Sequence, residues 1–165
     1  MVSNKLWKWL FDSSESAPAA TILLRLMAGG VFFWEGILKF VYTNQGVGRF
    51  TKLGIPVPDV MAHFVAGLEI IGGLLLIVGF LTRLISVPFI IEMLVAIATT
   101  KISLYLGTSP LPLPPAPPQV GIWAVLHEIR SDYAQIMIVQ FLLIAGPGRL
   151  SIDALVRRKR KQSEP

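Results

Sequence analysis

Several apolar runs of this 165-residue sequence carry ionisable side chains. Arg25, Glu35 and Lys39 share the first run, Glu69 lies in the second and Glu92 in the third, while His127, Glu128, Arg130 and Asp132 head the fourth. Placing a charge at the centre of a hydrocarbon layer costs about 2.5 to 3.5 kcal/mol even on insertion scales, so such residues point to a site. Arg25, Glu35, Lys39, Glu69, Glu92, His127 and Glu128 are the candidates for one buried polar pocket. Carboxylates or histidine in a low-dielectric site can transfer protons, and one or two donors beside an apolar slot suit a quinone head group. The competing reading is a set of charge pairs that only fix helix register.

Helical spacing brings part of this set together. At about 100° per residue, Gly36 lies roughly 20° from Arg25, Lys39 roughly 40° the other way and Glu35 roughly 80° round, so the charges of the first run share one broad face. Glu35 and Lys39 also form an i,i+4 pair in the favourable acid-first order. With no cysteine in the chain, thiolate nucleophiles, disulfides, iron–sulfur clusters and CxxC redox centres are excluded, and redox chemistry would need a borrowed group. His63 and His127 are the only histidines, and no run has metal-ligand spacing, so no intrinsic metal or haem is expected. Neither GxSxG nor HExxH nor a phosphate-cradling glycine loop occurs, which argues against a self-contained hydrolase or kinase.

The elements that must position these residues are membrane spans. Hydrophobic residues make up 53% of the chain and charged ones 15%, with mean hydropathy +0.64; an ordinary soluble domain is about a quarter charged. The apolar residues gather in blocks near the roughly 20 residues that cross a bilayer as a helix. The predicted fold is all-α: an integral membrane four-helix bundle with spans at 19–40, 60–81, 84–106 and 122–146, flanked by short interfacial helices at both termini. The first of these, in Met1 to Ala17, mixes Trp7, Trp9 and Phe11 with Lys5 and Lys8. Pro18 sits where a first-turn proline starts a helix. The clean run of the fourth span covers only Tyr133 to Gly146, so that helix must begin near Ile122 to cross.

Between the third and fourth spans, segment 107–121 holds six prolines from Pro110 to Pro118 and reads as a rigid extended loop. The tail, 149–165, contains the run Arg157, Arg158, Lys159, Arg160 and Lys161, which suits anionic lipid better than nucleic acid. Placing both termini in the cytoplasm puts nine basic residues inside and five outside, the expected bias for a cell-membrane protein.

The stretches RLMAGGVFFWEGILKF (Arg25 to Phe40), GLEIIGGLLLIVGFLTRL (Gly67 to Leu84) and GPGRLSID (Gly146 to Asp153) resemble, in order and spacing, the DoxX family of small four-helix membrane proteins. The resemblance implies a four-helix bundle and an association with quinone-linked membrane oxidoreductase complexes. The matching positions are Arg25, Gly36 and Lys39; Glu69, Gly73, Gly79 and Arg83; and Gly148, Arg149, Ser151 and Asp153. The last group reads as closing the inner end of the bundle, with Arg149 and Asp153 as i,i+4 neighbours on a short helix. The proline loop and the HEIRSD segment depart from the commoner pattern.

The leading expectation is a subunit of a membrane oxidoreductase, quinone-interacting or non-catalytic, with an oxidoreductase partner. Glu35, Glu69, Glu92, His127 and Glu128 would line its pocket, with Arg25 and Lys39 balancing their charge. A small permease, which would need to form a homo-oligomer, and a scaffold or assembly factor are the alternatives.

Overall fold

The computed structural model describes residues 9–10, 17–113, 115 and 118–163. Those residues form helices and no strands: α1 Thr21–Val41, α2 Val47–Lys52, α3 Pro58–Val78, α4 Thr82–Thr100, a 3₁₀ turn Ile102–Leu106, α5 Ile122–Glu128, α6 Arg130–Ala145 and α7 Ile152–Ser163. Three segments are long and apolar enough to cross a membrane: Thr21–Val41, Pro58–Val78 and Thr82–Leu106. Their outward faces carry large apolar side chains such as Leu23, Met27, Trp34, Ile71 and Leu94. In water that surface would be a liability, whereas in lipid it is the surface a span presents.

Close packing comes from small residues. The main contacts run between α1 and α3 and between α4 and α6, and further contacts of α1 with α6 and α3 with α4 join the two pairs. A Cβ on Gly29 would lie 2.7 Å from the Gly73 carbonyl, and one on Gly36 2.8 Å from the Ala66 carbonyl, so α1 and α3 touch backbone to backbone. The core cluster of Ala28, Phe32, Leu76, Phe89, Ile138, Val139 and Leu142 draws on α1, α3, α4 and α6. Phe32 and Phe89 stack at its centre with ring centroids 3.7 Å apart. Pro88, inside α4, has no N–H to return to the preceding turn and borders an open space between the helices.

Several sequence expectations need correction. The fourth segment is not one helix from Ile122, because a turn at Ile129 separates α5 from α6. At 16 residues, α6 alone is about 24 Å long against about 30 Å of hydrocarbon. Pro18 precedes α1 rather than opening it, its carbonyl accepting from the Thr21 N–H at 3.1 Å. Helix α2, in the connection between the first two spans, was not expected; it packs on α3 with Phe50 buried. Of the expected N-terminal interfacial helix only Trp9 and Leu10 are described, both helical, and the rest lies outside the described residues, as do positions 114, 116 and 117 of the proline loop.

Candidate functional site

Arg25, the first charge of the apolar runs, belongs to a clamp at one end of the bundle. It is buried to 2% exposure, and its guanidinium donates to four carbonyls: Leu76 at 3.1 Å, Ile77 at 2.8 Å, Pro147 at 2.9 Å and Leu150 at 2.6 Å. Leu76 and Ile77 lie in the last turn of α3, where helix carbonyls run short of helical N–H partners, and the Leu76 carbonyl also accepts from the Gly79 N–H at 3.1 Å. On the other side of the same turn, Asp153 accepts from the Leu81 N–H at 2.9 Å and the Thr82 N–H at 3.1 Å, capping the start of α4. Its own N–H donates to the Gly79 carbonyl at 3.0 Å. Burial pushes the Asp153 carboxyl up from its ordinary value, opposed by those backbone N–H donors.

Gly79, Gly148 and Ser151 of the motifs serve this clamp. Gly79 has φ +69°, and a Cβ there would lie 2.5 Å from Ser151 and 2.7 Å from Arg25. Gly148, at φ +81°, leaves room for Thr21. Ser151 caps α7, accepting from the Ala154 N–H at 3.1 Å. Arg83 donates to the Trp9 and Ile144 carbonyls. Arg149 is exposed and precedes α7, which begins at Ile152, so it is not a helical neighbour of Asp153.

A separate cavity of about 540 Å³ lies among α1, α2, α3, α4 and α6. Apolar side chains including Phe32, Phe64, Val65, Leu68, Pro88, Met93 and Ala96 make much of its wall, and Glu35, Lys39, Glu69, Glu92, Lys101, Asp132 and Gln135 are among the polar groups that line it. Lys39 crosses from α1 to Glu69 on α3, with Nζ 2.8 Å from Oε1 and 2.6 Å from Oε2. The close approach at Gly36 makes this possible, since a Cβ there would sit 2.9 Å from the Glu69 Cβ. Glu92 reaches from α4 to the Glu69 carboxyl. On the α6 side Lys101 Nζ lies 3.6 Å from Asp132, 3.9 Å from the Glu128 carboxylate and 3.2 Å from the Glu128 carbonyl.

The structure thus brings Glu35, Lys39, Glu69 and Glu92 to one cavity and leaves Arg25 out of it. Arg25 and Lys39 share a helix face, but 14 residues of rise separate them by about 21 Å. Lys39 pairs with Glu69 rather than with Glu35, because Glu69 approaches across the glycine contact. His127 is exposed, away from the cavity, with its carbonyl accepting from Arg130. Neighbours on a helix point about 100° apart, so once Glu128 turns to Lys101, His127 turns away. Lys101 and Gln135 are among the lining residues that sequence reasoning missed, and Asp132 was noted at the head of the fourth run but not placed in the pocket. Asp132 and Gln135 stand at i,i+3, which was the available signal. Among the described residues no group of three or more His, Cys, Asp or Glu could hold a metal ion.

Apolar spans around a cavity lined by acids, lysines and an amide describe a helical membrane protein with a polar cluster between its helices. The family model of DoxX matches residues 20–102, which include the α1–α3 glycine contacts and the Lys39–Glu69–Glu92 cluster. The chain belongs to the DoxX family. It is similar to the uncharacterized membrane protein Rv3486 of Mycobacterium tuberculosis, 36% identical over 148 residues, covering 86% of this chain and 84% of that protein. It is also similar to the Bacillus subtilis protein named "Putative oxidoreductase CatD", 35% identical over 89 residues, which are 54% of this chain and 65% of CatD. No solved structure matches the chain.

Proposed function

We propose that this DoxX protein is a membrane subunit of an oxidoreductase system and that its cavity holds a small quinone-class ring. The observation that carries the reading is the cavity of about 540 Å³, large enough for a substituted six-membered ring, with apolar walls and hydrogen-bonding groups from α1, α3, α4 and α6. The name of CatD supports the same direction. The buried amide of Gln135, which can both donate and accept, and Glu92 Oε2 have no hydrogen-bond partner, so polar groups remain for a ring with apolar faces.

A bound quinone would supply a two-electron, two-proton couple. The chain's residues position the ring and handle protons. Phe32, Leu68 and Met93 exclude water, and Lys39, with three N–H groups, retains donors beyond those given to Glu69. The carboxyls of Glu69 and Glu92 are the side chains that exchange protons with ring oxygens. Electrons would pass to or from an oxidoreductase partner.

The test is the thermal unfolding of purified protein titrated with decylubiquinone. Binding at a hundredfold excess over Kd stabilises by about 2.7 kcal/mol, several degrees in Tm. Ala96→Phe, which fills the cavity, should abolish the shift in a protein that still folds. Absence of a shift with any quinone in folded protein overturns the reading in favour of a small permease or a scaffold.

Topology completes the proposal. Residues 122–145 cross the bilayer as α5 and α6 in tandem, giving four spans with both termini cytoplasmic in the cell membrane. The basic tail then rests on anionic headgroups.

A further inference from the structure

Between α3 and α4 the cavity reaches the lipid-facing surface. The two helices form a hairpin that is closed near its turn, where a Cβ on Gly72 would lie 2.6 Å from the Phe89 ring and 2.8 Å from Ile85 Cγ1. Beside and beyond that contact they line one open space, α3 with Met61, Phe64 and Leu68 and α4 with Pro88, Ile91 and Val95. Each trio has i, i+3, i+7 spacing, so each forms a single stripe along its helix. Phe64 is 62% exposed, Ile91 57% and Val95 51%, although all three line the cavity, so they stand at its rim. The apolar lining of α1, Val31 and Phe32, is by contrast half-buried or buried, and α6 contributes Ser131, Asp132 and Gln135, all polar. The rim also lies at membrane depth: Phe64 is six residues, about 9 Å, inside the start of α3, and Ile91 nine residues, about 14 Å, inside the end of α4. Polarity changes along the opening. Glu92 points about 100° away from Ile91 and joins Glu69 inside, whereas Phe64, Ile91 and Val95 offer only hydrocarbon.

We infer that this gap is the doorway of the cavity and that the ligand is a lipid-soluble ring with a hydrocarbon tail. The polar ring passes between α3 and α4 from the membrane, and the tail rests along the two stripes. This rests on the proposed quinone site and adds the ligand's class and its route. The exposed surface of a span meets acyl chains, so a tail emerging there stays in hydrocarbon, whereas a ligand arriving from water at the helix ends would need no apolar rim at that depth. The occupant is a tail rather than a second copy of the chain, because the stripes continue inward to the polar cluster. A helix packed across them would cover the rim and leave the space behind it unfilled.

The test uses the full chain in detergent micelles and two probes that share one ring, decylubiquinone and its tailless parent 2,3-dimethoxy-5-methyl-1,4-benzoquinone, followed by isothermal titration. Ile91→Trp and Val95→Trp each put an indole into the gap. Either should weaken the tailed probe about tenfold, the worth of about two buried methylenes, and leave the tailless probe within about twofold. Leu94→Trp, exposed on α4 but outside the cavity lining, controls for partition into micelles and should change neither. A decylubiquinone analogue with a diazirine on the first carbons of its tail should label segments 61–68 and 88–95 of the unsubstituted protein, and excess decylubiquinone should suppress the labelling. This labelling decides alone where the tailless ring binds too weakly to titrate. Unchanged binding of the tailed probe, equal loss of both probes or tail labelling elsewhere overturns the inference and leaves the quinone site standing. So does a dimer in native mass spectrometry that Ile91→Trp dissociates, since a second copy then covers the stripes. Binding of neither probe by folded, unsubstituted protein removes the quinone-site reading and the inference with it.

Discussion

A single buried guanidinium can hold a helical hairpin when its five donors meet several helix-end carbonyls, and Arg25 does this for the end of α3. Arg25→Met would take a donor from four carbonyls, of which Leu76 keeps the Gly79 N–H, and we expect a loss of about 3 kcal/mol or more, read as a lowered midpoint in denaturant. Arg25→Lys should recover little, because an ammonium cannot reproduce the planar fork. Gly36 makes a second residue-scale prediction. Gly36→Ala places a methyl 2.8 Å from the Ala66 carbonyl and 2.9 Å from the Glu69 Cβ, so it should destabilise by about 1 to 3 kcal/mol and weaken ring binding together. Gly67→Ala on α3, where a Cβ meets nothing within 4 Å, is the control and should be neutral or slightly stabilising. Equal effects at the two positions would show that the close approach at Gly36 does not hold α1 against α3.

At the scale of elements, the spans α1, α3 and α4 were legible because a predominantly apolar stretch of about twenty residues leaves one economical structure in lipid. The fourth segment was legible in extent and not in form: the break at Ile129 separates α5 from α6 inside the expected helix. Helix α2 was missed because six residues give no periodicity to read. The proposed topology predicts a labelling pattern. As the chain has no native cysteine, Lys52→Cys and Gln162→Cys report without background. An impermeant maleimide added to intact cells should modify position 52, beyond α1, and reach position 162 only after lysis. Labelling of 162 in intact cells would overturn the cytoplasmic assignment of the C-terminus.

Over the whole molecule, the clamp and the cavity are distinct sites built from the same motifs, and their variants should separate. Arg25→Met is expected to act on stability, whereas Ala96→Phe is expected to act on ring binding with stability nearly kept. The tail adds a lipid-level prediction. Arg158, Lys159 and Arg160 are exposed on α7, and each basic residue near an anionic surface contributes about 1 kcal/mol. Replacing Arg157 through Lys161 by alanine should therefore strip phosphatidylglycerol from the protein in native mass spectrometry, and unchanged lipid retention would refute the contact.

Composition, the length of apolar runs and the glycine motifs determined the helical class, the membrane environment and the DoxX family, because each is a property summed along a local stretch of chain. The partners of the charges were decided only by the tertiary structure. Arg25 and Lys39 share a face and differ in depth by about 21 Å, so one closes an end of the bundle and the other meets Glu69 in the cavity. Lys101, Asp132 and Gln135 enter the site because α4 and α6 pack side by side with matching rotation and axial offset. Those two quantities relate one helix to another, and no window along a single helix contains them.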